Sequence, residues 1–168
     1  AKEGSRAILK DTDEAEVLEL DSSKLRNDEQ RRKAIAYRLE HDAKDRPDDY
    51  RVYAMIADIY FDFEDWDVGY PEAKKYYEKA LELNTTDTTV KDKLGDLEMK
   101  NMRRGLQDLK KEADGGGKEA RAAYKKQHKE YLKYQLEEYE RRVQAQPLNA
   151  GFHNKLGELY FHFKRYDD

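Results

Sequence analysis

The chain has 168 residues, of which 42% are charged and 38% hydrophobic, with a net charge of −4 and no Cys. Zero Cys excludes disulfide scaffolds, thiol nucleophiles and thiolate-bound zinc, while leaving cytoplasmic and periplasmic settings equally open. The longest apolar run, Val52 to Ala57, falls far short of the roughly 20 residues that a membrane-crossing helix needs.

Dense Glu, Lys and Arg suits a solvated chain, but the apolar residues recur at helical spacing. There are 13 Tyr, and Tyr buries its ring while its hydroxyl stays wet. No run of alternating β-branched residues is present, so the expected class is all-α. Residues 1–27 read as a weakly structured segment, punctuated by Gly4, Asp11-Thr12-Asp13-Glu14 and Asp21-Ser22-Ser23. Asn27-x-x-Gln30 has the spacing of a capping box and opens a first helix. Its stripe is Ala34, Ile35, Leu39 and Ala43, and Pro47 is its stop. A second helix face runs Tyr50, Tyr53, Ile56, Ala57, Tyr60, Phe63. Phe61 to Pro71 reads as turn, with Pro71 suited to the first turn of a third helix whose stripe is Ala73, Tyr76, Tyr77, Ala80, Leu81. Asn84 to Asp87 closes that helix and caps the next.

Three stretches share one frame: Tyr53-x2-Ile56-Ala57-x2-Tyr60, Lys91-x2-Leu94-Gly95-x2-Glu98 and His153-x2-Leu156-Gly157-x2-Tyr160. The frame resembles the W-x2-L-G-x2-Y signature of the tetratricopeptide repeat, a 34-residue helix–turn–helix. The second half of that signature is matched by Ala73-x3-Tyr77-x2-Ala80 with Thr85 in the Pro slot. It recurs in Gln135-x3-Tyr139 leading to Pro147, and more loosely in Ile35-x3-Leu39 leading to Pro47. Glu98 and Thr85 depart from the pattern.

The landmarks keep phase. Ile56 to Leu94 and Pro47 to Thr85 are both 38 residues, whereas Leu94 to Leu156, Thr85 to Pro147 and Tyr77 to Tyr139 are all 62. Against a period of 34, the first repeat carries 4 extra residues and the second carries 28. The 4 fall in the Trp66–Pro71 stretch, read as loop. The 28 lie around Gly115-Gly116-Gly117, and split evenly they lengthen each helix by about four turns. The expectation is an antiparallel, coiled-coil-like helical hairpin over about 88–146, with arms of about 26 and 29 residues closed by the glycines. Leu94, Leu97, Met102, Leu106, Leu109 and Ala113 would face Tyr124, Tyr131, Leu132, Leu136, Tyr139 and Val143. Residues 150–168 form a first helix without a second. With Ala1 in place of an initiator Met, this reads as part of something longer. The expected helical domain spans 28–168.

No motif carries catalysis. His153 and His162 are nine apart, not at a metal-binding helical spacing, and His153 sits in a repeat packing slot. Asp62, Glu64, Asp65 and Asp67 lack the register of a calcium loop and read as a solvated inter-helix segment. The three glycines lack the residues of a phosphate loop and read as a turn. The sequence predicts no enzyme, cofactor or metal site.

Two surfaces remain. In the tetratricopeptide family the first helix of each repeat lines a concave groove for a partner segment. The resemblance places Arg51, Ala54, Asp58, Phe61 and Asp62 there from one repeat, Thr89, Asp92, Asp96 and Met99 from the next, and Asn154, Glu158, Phe161 and His162 from the last. Five carboxylates against one Arg imply an acidic groove for a basic or apolar protein partner. The Lys/Asn/Arg clamp of chaperone-binding members is absent. The second surface is basic. From Arg103 to Lys129 there are nine basic and four acidic residues, a local +5 that leaves −9 on the rest. Arg103, Arg104, Lys110, Lys111, Lys118, Arg121, Lys125, Lys126 and Lys129 make nucleic acid or an anionic surface the alternative partner, with few aromatics interleaved for base stacking. The opposed charges also suit self-association, the basic turn or Val17–Leu20 entering the acidic groove of a neighbouring copy.

Overall fold

A computed structural model describes residues 25–166, and the expectation for 1–24 lies outside them. Among the described residues every regular element is an α-helix. In chain order these are α1 Asp28–Glu40, α2 Asp42–Asp45, α3 Tyr50–Phe61, α4 Trp66–Leu83, α5 Thr88–Asp114, α6 Lys118–Ala145 and α7 Ala150–Tyr166. The 28–168 stretch expected as one helical domain divides at Lys91 into two units. The first holds α1 to α4; the second holds α6, α7 and most of α5.

In the first unit, the Asn27 carboxamide oxygen accepts the Gln30 amide at 2.9 Å, as a helix N-cap does. The reciprocal bond is displaced by one residue: Gln30 Oε1 accepts from Arg26, not Asn27. The first helix also stops earlier than Pro47. It breaks at His41 and resumes for one turn as α2, with Asp42 bridging the break through Arg38 at 3.2 Å and Arg46 at 3.1 Å.

The core of this unit lies between α3 and α4. Val52, Tyr53, Ile56, Ala57 and Ile59 form one buried face of α3, and Ala73, Tyr77 and Ala80 the buried stripe of α4. The alanines let the two backbones approach, and burying Ile56 alone contributes about 1.5–3 kcal/mol.

The expected turn over Phe61 to Pro71 is largely helical. α4 begins at Trp66, and Pro71 lies inside it, not in its first turn. The physical reason is a carboxylate from another helix. Asp28 accepts the amides of Glu64 and Asp65, each at 3.0 Å, satisfying the backbone just before α4 opens. Trp66 then anchors the start, buried and edge-on to Phe61. Because Pro has no N–H, it removes one intrahelical bond, and it does so on the exposed side of α4. The stretch expected to be loop therefore adds about one helical turn to the start of α4.

Three turns between helices share one construction. The amides of Asp49, Asp87 and Asn149 donate to the carbonyls of Arg46, Asn84 and Gln146. The same three side chains then cap the next helix, accepting from Arg51 at 3.1 Å, Val90 at 2.8 Å and Gly151 at 3.1 Å. Tyr53 donates its hydroxyl to the Pro47 carbonyl at 2.9 Å, and His153 Nε2 meets the Pro147 carbonyl at 2.8 Å. Asp49, Asp87 and Asn149 are separated by 38 and 62 residues, the spacings of the sequence frame.

In the second unit α5 and α6 have 27 and 28 residues. Asp92 near the start of α5 meets Gln146, just past the end of α6, at 3.1 Å, and Asp96 meets Arg142 at 2.7 Å. At the other end the Ala113 carbonyl accepts from Arg121 Nε at 3.5 Å. Leu97, Leu106, Ala113 and Leu132 are buried. Gly116, at φ 105°, takes the left-handed conformation that closes the turn. α7 packs along α6, with Phe152 edge-on to Tyr139 and the Tyr160 hydroxyl donating to Glu140 at 2.6 Å.

The Asp28 clamp yields a pH test. Burial pushes its carboxyl up, but the Asp65 and Glu64 amides and Arg31 outweigh this and hold it below its ordinary 3.8. A lowered carboxylate stabilises the fold above that value and loses the contribution as pH falls through it. Asp28→Ala is expected to cost about 1–2 kcal/mol at pH 7. In urea unfolding across pH, the gap to wild type should narrow below pH 3.8; a gap that widens in acid refutes the clamp.

Candidate interaction surfaces

The α3 residues singled out from the frame lie on one face and are held internally to different degrees. Arg51 is exposed, its guanidinium 5.7 Å from the Tyr50 ring. Ala54 is buried. Asp58 is half-buried and accepts the Tyr77 hydroxyl at 2.6 Å. Phe61 is half-buried against Trp66, and Asp62 is an exposed C-cap. In the second unit Met99 is buried, while Asn154, Glu158, Phe161 and His162 are exposed. Phe161 is 60% exposed and Tyr160 46%. Glu158 pairs with Lys155 at 3.2 Å.

Asp92 and Asp96 belong to a network that the frame alone does not reveal. Arg141 Nη2 lies 2.6 Å from both Asp92 and Glu138. Arg142 donates Nε to Glu138 at 2.9 Å, and Nη2 to Asp96 and to the Asp92 carbonyl, both at 2.7 Å. The side chains of Arg142 and Glu138 are only 5% and 10% exposed. Gly95 makes room for them: a Cβ there would collide with the Glu138 carboxylate. Glu138 raises the pKa of Arg141 through its hydrogen bond, and burial followed by Glu138 and Glu98 pushes the Tyr134 hydroxyl up to about 12. Of the five carboxylates expected to give an acidic groove, Asp58, Asp92, Asp96 and Glu158 thus have partners inside their own unit. The signals in the sequence were Glu138-x3-Arg142, one helical turn apart, and the small residue at Gly95.

The basic stretch is divided by the fold. Lys110, Arg121, Lys125 and Lys129 line a pocket of about 830 Å³, whereas Lys111, Lys118 and Lys126 are exposed outside its lining. Tyr124, expected in helix packing, is half-buried and lines the same pocket, stacked on His128 at 5.7 Å. Phe163 of α7 completes the wall. The sequence reading missed His128 and Phe163. Tyr124, His128 and Leu132 at i, i+4, i+8 signalled one stripe, but nothing local pointed to Phe163. Among the described residues no cluster of His, Asp or Glu suits a metal ion, and no helix is long and apolar enough to cross a membrane.

No family model, curated protein or solved structure matches the chain.

The Gly95 contact makes a sign-changing prediction. Gly95→Ala gains about 1 kcal/mol of helix propensity but displaces a buried carboxylate from its arginines, where losing a partner costs about 3–5 kcal/mol. A net loss of about 2–4 kcal/mol is expected in chemical unfolding. In a Glu138→Ala background the carboxylate is gone and only the end of the flexible Arg142 side chain, 3.1 Å from that Cβ, has to give way, so Gly95→Ala should become neutral or stabilising. Equal destabilisation in both backgrounds refutes the close approach.

Tyr134 supplies a second measurement. Its raised value favours the neutral hydroxyl in the folded chain, a contribution present below the ordinary 10.0 and lost towards about 12. In a spectrophotometric titration, the phase ionising near 12 should vanish in Tyr134→Phe; persistence of that phase assigns it elsewhere.

Proposed function

We propose that the chain is a tetratricopeptide-like helical-repeat scaffold, without catalytic activity, whose first-helix faces hold a segment of a partner protein. The observation that carries the reading is the threefold turn at Asp49, Asp87 and Asn149: each repeats the same backbone bond and caps the next helix with its side chain in the same sequence phase, accepting from the residue two on at Asp49 and Asn149 and three on at Asp87. It supports α3, α5 and α7 as equivalent first helices and α1, α4 and α6 as the second helices that precede each turn. Contacts at both ends of α5 and α6 support one repeat drawn out into an antiparallel hairpin.

The partner segment is selected more by apolar fit than by charge. Four of the five carboxylates are engaged within their own units, Glu158 with Lys155 among them, whereas α7 presents exposed Phe161 beside exposed Asn154. An exposed aromatic ring is the kind of group that anchors protein interfaces.

The test uses a display library of short peptides, apolar-anchored with either basic or acidic flanks, read by fluorescence anisotropy. Basic- or neutral-flanked peptides are expected to bind and to weaken at least about tenfold, about 1.4 kcal/mol, in Phe161→Ala and Glu158→Lys. Both sites are exposed, so these variants keep the fold. Binding that ignores both substitutions, or no binding in the library, overturns the reading.

A further inference from the structure

We propose that the pocket at the Gly115–Gly117 end of α5 and α6 is a docking site for an acidic amphipathic peptide helix. This is a site separate from the α7 face, and it stands or falls independently of the proposed scaffold function. Its shape comes from three helices. Ala113 of α5 and Leu132 of α6 are buried at its apolar floor, and half-buried Phe163 of α7 forms a wall. A volume of about 830 Å³ accepts several side chains of a peptide.

The rim gives the charge. Lys110, Arg121, Lys125 and Lys129 stand against the single carboxylate of Asp114. Three of these cations, Arg121, Lys125 and Lys129, recur every fourth residue of α6, so they form a stripe with a step of about 6 Å. Tyr124, His128 and Leu132 repeat with the same step beside it. A cationic stripe parallel to an apolar one is the complement of a helix that carries Glu or Asp at i, i+4 and i+8 next to Leu or Phe.

Nucleic acid fits this arrangement less well. Asp114 would repel a phosphate backbone, Tyr124 already stacks a ring face on His128, and Lys111, Lys118 and Lys126 lie outside the pocket and do not extend its stripe. The apolar floor asks for a protruding side chain, which a charged backbone track does not supply.

The experiment titrates the whole chain with three labelled probes: a helical peptide with Glu at i, i+4, i+8 beside a Leu stripe, the same peptide with Lys replacing Glu, and a single-stranded oligonucleotide. The Glu peptide should bind and the Lys peptide should not. The double variant Lys125→Glu/Lys129→Glu should weaken the Glu peptide at least about tenfold, and Phe163→Ala should do so as well, while exposed Lys126→Glu should leave it within about twofold. Circular dichroism shows whether each variant keeps its helix content. If Phe163→Ala does not fold, replacing the peptide's Leu stripe by Ser reads the apolar contact on the wild-type chain. Tighter binding of the oligonucleotide, equal binding of the two peptides, or indifference to the apolar stripe overturns the proposal. Phe161→Ala, which tests the α7 face, should leave this binding unchanged.

Discussion

Helical phase is the constraint from which the other features follow. A helix that gains residues keeps its buried face only when the gain approaches whole turns of 3.6 residues. α4 begins at Trp66, one turn before the position where Pro71 was expected to open it, and still aims Ala73, Tyr77 and Ala80 into the core. On the proposed repeat reading, α5 and α6, at 27 and 28 residues, are each about twice the length of an ordinary repeat helix. The turns that flank them, at Asp87 and Asn149, keep the bonding of the one at Asp49.

Long helices also need something to fix them against each other. Along much of α5 and α6 the interior residues are half-buried, with Val90, Leu97, Met99, Leu106, Ala113 and Leu132 as the buried apolar exceptions. The Glu138–Arg142 pair under Gly95 supplies a geometry that apolar contact lacks: Arg142 must meet Glu138, Asp96 and the Asp92 carbonyl at once. Burying such charges costs desolvation that their mutual attraction only partly offsets. Their contribution is to penalise a slip, because moving α5 by one residue would put a side chain where Gly95 now admits the carboxylate.

The helical class and most helix positions were legible from local spacing: the Asn27 cap, the stripes of α3 and α4, the glycine turn and the cap at Asp87 all rest on neighbours within a few residues. What local spacing misread depends on a distant partner. Asp28 takes the amides of Glu64 and Asp65 from 36 and 37 residues away, so Phe61 to Pro71 read as turn. Asp92 and Asp96 read as ligands for a partner because the arginines opposite them are 46 to 49 residues on. Arg121, Lys125 and Lys129 read as part of a basic surface for nucleic acid or an anionic partner and Tyr124 as packing, until Phe163 and α7 made one pocket of both. A single sequence shows which side chains share a helix face, not what faces them.

The same distribution separates two kinds of recognition in the second unit. At the Asp92 end Arg141 and Arg142 direct their charge at Asp92, Asp96 and Glu138, which lowers the field that end presents to solvent. The stretch from Arg103 to Lys129 keeps a local +5, concentrated in stripes on an exposed helix. Exposed charges act over about 8–10 Å at physiological salt, enough to steer an acidic partner before any contact forms. The α7 face, with Phe161 exposed and Glu158 already paired with Lys155, has little field to offer and must select by fit. On the proposed reading, charge governs approach at the glycine turn and shape governs retention on α7, so salt should discriminate between partners of the two surfaces even when their affinities are equal.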